Sequence, residues 1–169
     1  MPRNIEIKAR ISSVTRLLPA VAAIADTGPI DIDQDDTFFV CANGRLKLRV
    51  LSASESELIF YRRADSCGPK ESFYLRSPIS TPDVLRESLS LAYGQDGRVR
   101  KHRVLFLRGR TRIHLDRVEG LGDFLELEVV LQENEGAAAG ALEAKELLSQ
   151  LGIRDQDLIP DAYVDLMRR

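Results

Sequence analysis

The sequence predicts an α+β fold built on a largely antiparallel β-sheet or barrel, and three observations carry that reading. Polarity alternates with a period of two in segment after segment, which marks half-buried strands. Three segments of helical period are set between these runs. Connections such as Asn43-Gly44 and Arg108-Gly109 are of hairpin size.

The elements follow in order. Residues 4 to 11 place polar side chains at even positions and apolar ones at odd positions, as a strand with two unlike faces requires. The next segment can be capped by Ser12 or Ser13 and carries Val14, Leu17, Leu18, Val21 and Ile24 on one helical face, with Pro19 expected to kink it or to mark a later start. Alternation returns in 45–50, 110–116 and 125–129, and less regular β-rich stretches near 33–41, 57–63, 71–79 and 98–108 bring the strands to about eight. Thr81 reads as the N-cap of a second helix, with Pro82 at the first helical position and Asp83 as an acid in the first turn, leading to Leu85, Leu89 and Ala92. Residues 137–151 form a third helix with Leu142, Leu147, Leu148 and Leu151 at helical spacing and Gly152 as its stop. The predicted order is strand, helix, four strands, helix, three strands, helix.

A chain of 169 residues, 44% hydrophobic and 30% charged, is long enough to bury a core and short enough for one domain, expected to span 1–169. The barrel-forming part covers about 3–131, and the last helix and tail about 137–169. Nothing approaches the roughly 20 consecutive apolar residues of a membrane-spanning helix. The charged start MPRNIEIKAR lacks the apolar stretch of a secretion signal, so a cytoplasmic address is expected. Cys41 and Cys67 stand in no metal-ligand spacing, and a net charge of −2 argues against a nucleic-acid coat. The expected partner is a small molecule, with no nucleic acid and no membrane. The oligomeric state is left open, a homodimer being one option.

The chemistry lies in how charge is sorted. Solvated strand faces ordinarily mix signs, yet Arg45, Lys47 and Arg49 are three cations on one face, whereas Glu126 and Glu128 are paired acids on another. Like charges side by side repel, so each cluster calls for a counter-charge or a ligand. If the strands close with these faces inward, one wall offers arginines and lysines to phosphate oxygens and another offers carboxylates to Mg²⁺ or Mn²⁺. A metal-bound polyphosphate fits such an interior. His114 shares a face with Arg112 and Asp116 and could touch a ligand or serve as a hydrogen-bonded barrel histidine. Tyr163, in the tail, could close one mouth of a tunnel or anchor the tail.

Asn4-Ile5-Glu6-Ile7-Lys8 resembles the E-x-E-x-K signature of CYTH proteins, the triphosphate tunnel metalloenzymes that include class IV adenylyl cyclases and thiamine triphosphatases. Gln34-Asp35-Asp36-Thr37-Phe38-Phe39 resembles the family's Q-x-D-x-Y-F segment. Arg45 to Arg49, Lys101 and Arg103, His114-Leu115-Asp116 and Glu126-Leu127-Glu128 then follow in family order. The resemblance implies a closed eight-stranded antiparallel tunnel with helices packed outside. It implies metal ligation by Glu6, Asp116, Glu126 and Glu128, and phosphate binding by Lys8, Arg45, Lys47, Arg49, Arg63, Lys101 and Arg103. Glu6 and Lys8 are the residues it places in catalysis, with Mg²⁺ or Mn²⁺ as cofactor. The activity implied is hydrolysis of inorganic, thiamine or nucleoside triphosphate. The alternatives are cyclisation of ATP to cyclic AMP and pyrophosphate, or non-catalytic polyphosphate or nucleotide binding. The chain departs from the signature at its first position, where Asn4 offers a neutral carbonyl oxygen in place of a carboxylate.

Overall fold

The computed structural model describes the whole chain, Met1 to Arg169. Its strands are β1 (Arg3–Arg10), β2 (Thr27–Phe39), β3 (Arg45–Val50), β4 (Ser56–Arg63), β5 (Lys70–Pro78), β6 (Gln95–Arg108), β7 (Thr111–Val118) and β8 (Gly122–Val130). They close into one antiparallel barrel in the order β1-β5-β4-β3-β2-β6-β7-β8. The helices are α1 (Val14–Ile24), α2 (Pro82–Tyr93), α3 (Ala137–Gln150) and a last short one, α4 (Tyr163–Leu166). Up to α3 the element order is the one the sequence predicts.

The barrel is built inside out. Even positions of β1 point into the lumen, and the odd positions Ile5, Ile7 and Ala9 point outward and are fully buried. Outward apolar residues of β1, β7 and β8 pack under Val14 and Val21 of α1 and under Ala144, Leu147 and Leu148 of α3, forming one cluster of 16 buried residues. The main hydrophobic core therefore lies between wall and helices, which frees the lumen for charge.

Local chemistry sets where each helix docks. Ser13 caps α1 by accepting from the Arg16 amide. The Val14 amide also donates to Asp123 on β8 at 2.7 Å, which ties the helix start to the barrel. Pro19 sits inside α1 without shortening it. Gly140 lets α3 approach closely, because a Cβ there would lie 2.7 Å from Ile5 Cγ1 and 2.8 Å from Leu131 Cδ2.

Three details differ from the sequence reading. Leu142 is not on the packed face of α3 but 60% exposed, because the contact is made by Gly140, Ala144, Leu147 and Leu148. Thr81 precedes α2 without a side-chain capping bond, Asp83 supplying the acid of the first turn. Helix α2 buries no residue fully and leaves Ala92 exposed, since it rests mainly on β2 and β3.

The tail from residue 155 onward folds back across one end of the barrel. The Ile159 amide donates to the Lys8 carbonyl, and Leu158 forms a bridge with Ala9. Ala162, Tyr163 and Val164 then join Phe38, Val99, Val118 and Phe124 in a second core cluster. Gly97, at φ 135°, makes room for Val164, whose Cγ2 would lie 2.6 Å from a Cβ at that position.

Candidate active site

The lumen is a cavity of about 230 Å³ whose two sides carry opposite charge. Glu6 of β1 and Glu126 and Glu128 of β8 form the acidic side. The β1–β8 register sets Glu6 directly across from Glu128 and Lys8 across from Glu126. Lys47 and Arg49 of β3, Arg63 of β4 and Lys101 and Arg103 of β6 form the basic side. Ile32, Ile59, Tyr74 and Leu105 also line the cavity, on positions of their strands away from the tail.

Ion pairs link the two sides. Arg103 donates to Asp116 through two bonds of 2.7 Å and to Glu126 at 3.2 Å. Lys8 stands 3.4 Å from Glu126, and Arg63 stands 3.5 Å from Glu6. Arg112 donates to Glu128 at 2.8 Å. Asp36, a buried acid on the β2 wall, receives two bonds from Arg49 at 2.8 and 2.7 Å and a contact from Lys47 at 3.1 Å. Burial opposes ionisation of Asp36, but Arg49 and Lys47 hold its carboxyl well below the usual range.

Crowding of carboxylates has a measurable signature. Burial, then the neighbouring charges of Glu126 and Glu128, push the Glu6 carboxyl up to about 7. Burial and the Arg103 guanidinium push Lys101 down to about 7. Burial and Arg103 also lower the His114 imidazole, which is therefore neutral near neutral pH.

A stability prediction follows from Glu6. Its folded-state value lies above the ordinary 4.5, so the folded chain holds a proton that the unfolded chain has already lost between pH 4.5 and about 7. Stability consequently falls as pH rises through that window. Glu6→Gln cannot ionise and escapes the loss, so with a chelator present its stability relative to the parent should grow from pH 4.5 to pH 8, by up to about 3 kcal/mol. Melting curves of both proteins across that range check this, and a pH-independent difference would contradict it.

Of the residues singled out in the sequence, Glu6, Lys8, Lys47, Arg49, Arg63, Lys101, Arg103, Glu126 and Glu128 line the cavity together. Two do not. Arg45 forks onto Asp165 of α4, and Asp116 lies fully buried beneath Tyr163, whose hydroxyl donates to it at 2.8 Å. Tyr163 blocks that end of the lumen, with the Lys8 ammonium 3.9 Å and the Lys101 ammonium 4.8 Å from its ring centre. Sequence reasoning missed Asp36 as counter-charge of the β3 cations, although its parity with Gln34 and Phe38 places it on the inner face. It also missed Asp165, for which no local pattern gives a signal.

Several inner polar atoms are buried without a hydrogen-bond partner: Asn4 Oδ1, Gln34 Oε1, Arg63 Nε and Ser72 Oγ. Such groups call for a ligand. The side chains of His114, Glu126 and Glu128 each direct a donor atom to within 4.8 Å of the others, a set that fits one divalent ion.

A closed eight-stranded barrel with charge within and helices without defines a tunnel-type fold. The chain matches the CYTH domain over residues 2–163 and belongs to that family. Adenylate cyclase CyaB of Aeromonas hydrophila is 25% identical to it over 170 residues, which cover 95% of this chain and 86% of that protein. Protein PH1012 of Pyrococcus horikoshii OT3 has the same fold, with a TM-score of 0.85 at 23% identity over 96% of this chain and 98% of the other. HpAC1 from Hippeastrum, described as having a dominant triphosphatase activity, superposes with a TM-score of 0.66 at 20% identity over 99% and 95% of the two chains. CYTH tunnel enzymes are metal dependent, in keeping with the donor set here. No helix is long and apolar enough to cross a membrane.

Proposed function

We propose that this protein hydrolyses a phosphoanhydride bond of a triphosphate compound with the help of a divalent metal. The observation that carries the reading is the lumen itself, where a carboxylate wall faces a wall of lysines and arginines across a cavity closed at one end. Arg49, Arg63 and Arg103 present guanidinium forks suited to phosphate oxygens, and Lys8, Lys47 and Lys101 add compact positive charge. Glu126 and Glu128 would hold the ion with Glu6 beside them, and the bound metal would supply charge neutralisation and an activated water. Water attacks the terminal phosphorus, the bridging P–O bond breaks, the terminal group leaves as inorganic phosphate, and the departing diphosphate keeps the bonding pair. Glu6 would accept the proton that the water releases. Lys8, between Glu126 and the Tyr163 ring, stabilises charge on the phosphoryl oxygens.

A second reading, cyclisation of ATP, is favoured by the adenylate cyclase name of the Aeromonas hydrophila relative. Ile32, Ile59, Tyr74 and Leu105 offer an apolar surface for an organic group in either case. Inorganic triphosphate, thiamine triphosphate and ATP, each with Mg²⁺ or Mn²⁺, separate the readings by product. Phosphate release supports hydrolysis, cyclic AMP with pyrophosphate supports cyclisation, and no product from any of them sinks both.

Binding also has a thermodynamic test. Bringing many like charges together lowers stability, so an anion that binds only the folded state restores it. Triphosphate should raise the melting temperature by several degrees and by more than monophosphate at equal concentration. Equal shifts for the two anions would remove the case for a triphosphate site.

A further inference from the structure

We infer that His114 is itself a metal ligand in this chain, so that the ion is held by one imidazole nitrogen together with Glu126 and Glu128. The site then prefers first-row transition ions to Mg²⁺. The inference rests on the proposed metal-dependent function but concerns which donors meet the ion.

His114 lies on the inner face of β7, and the β7–β8 register sets it directly across from Glu126. Its Nδ1 is 3.3 Å from Glu126 Oε1 and 4.0 Å from Glu128 Oε1. Bonds of about 2.0–2.2 Å to one ion set adjacent donors about 3 Å apart and opposite donors about 4 Å apart, so these separations suit a shared ion. The ring is buried and lines the lumen, so its route to a ligand is inward.

The neighbours decide which oxygens remain. Arg112 takes Glu128 Oε2, leaving Oε1 on the side of His114. Glu126 Oε1 is shared with an Arg103 nitrogen at 3.2 Å, the weakest of that guanidinium's three bonds, while Arg103 stays anchored by two bonds of 2.7 Å to Asp116. Asp116 has both oxygens occupied, by Arg103 and by the Tyr163 hydroxyl. His114, two residues earlier on the same face, stands in the position that Asp116 is not free to take. Asn4 Oδ1, buried and without a partner, is a neutral oxygen two residues from Glu6 on the inner face of β1. Mg²⁺ favours a shell of oxygen donors with several waters, whereas an imidazole nitrogen favours ions further along the first row.

The test uses the full chain with Mn²⁺ as a paramagnetic probe. Pulsed electron paramagnetic resonance should show a directly bound nitrogen, with its frequency shifted when the protein carries ¹⁵N-histidine. The chain has only two histidines, and the other, His102, lies on the outer face between Asp31 and Asp33. The nitrogen signal should persist in His102→Gln and vanish in His114→Gln. Displacement of Mn²⁺ by Mg²⁺ should need at least about tenfold less Mg²⁺ in His114→Gln than in the parent. Should His114→Gln not fold, the labelled parent and His102→Gln decide the matter. Bound Mn²⁺ with no nitrogen coupling, or coupling lost only in His102→Gln, overturns the inference and leaves the metal-dependent function standing. No Mn²⁺ binding at all overturns both.

Discussion

Glu128→Gln should leave the barrel folded and lower metal-dependent turnover by about a hundredfold or more. Residues that merely orient metal ligands typically cost 10–100-fold when changed, so losing a ligand's charge belongs at or beyond the top of that range. The replacement keeps the volume of the side chain. It releases Arg112, whose side chain is 28% exposed and can turn to water, so no buried charge is stranded. Glu126→Gln should be equally inactive but less stable, because Lys8 and Arg103 both lean on that carboxylate and are themselves buried. Steady-state rates with Mn²⁺ and triphosphate, beside melting curves, check the pair. Parental turnover in both variants would mean that the ion binds elsewhere.

The largest stability effect should come from Asp116→Asn. This fully buried carboxylate receives two bonds from Arg103, one from Tyr163 and a contact from Lys101 at 3.7 Å. Burial alone would raise its value, but Arg103 and Lys101 keep it ionised well below the ordinary range. Asparagine removes the counter-charge and turns an N–H donor toward a guanidinium that needs an acceptor. Breaking a buried pair on one side costs about 3–5 kcal/mol. For a chain of this size that corresponds to a melting temperature lower by roughly 10 °C. A calorimetric midpoint within a degree or two of the parent would show that Arg103 finds another partner.

Much of this was legible in the sequence because strand parity is a strong signal. Glu6, Lys8, Lys47, Arg49, Glu126 and Glu128 each sit at the parity that points inward, and alternation with buried neighbours such as Ile7, Leu48 and Leu127 fixed that parity, whereas Lys101 and Arg103, on a less regular stretch, came from the family resemblance. Hidden were the pairings between distant segments. Nothing local in Asp165 foretells that it will engage Arg45, and nothing local in Asp123 foretells that it will hold the Val14 amide. Charge sorting along single strands suggested two walls awaiting a ligand, while the folded lumen shows the walls partly neutralising each other through Arg103, Asp36 and Asp116. That difference is one of sequence range: repulsion between neighbours is visible in a line of residues, whereas compensation across a lumen needs the register. Leu142 is a different kind of miss: it stands five residues before Leu147, well round the helix from the buried Leu147, Leu148 and Leu151, and Gly140 makes the close approach on their side.

The seam between β1 and β8 joins segments from opposite ends of the barrel-forming sequence, and Glu6, Glu126 and Glu128 are drawn from its two edges. Such pairing closes a long loop, the slow kind of step in the formation of a β-rich protein. Glu126 and Glu128 come together with His114 as soon as β7 and β8 pair, whereas Glu6 joins them only when the seam zips. The proposed donors therefore belong to one local hairpin, and closing the ring brings the third carboxylate beside them.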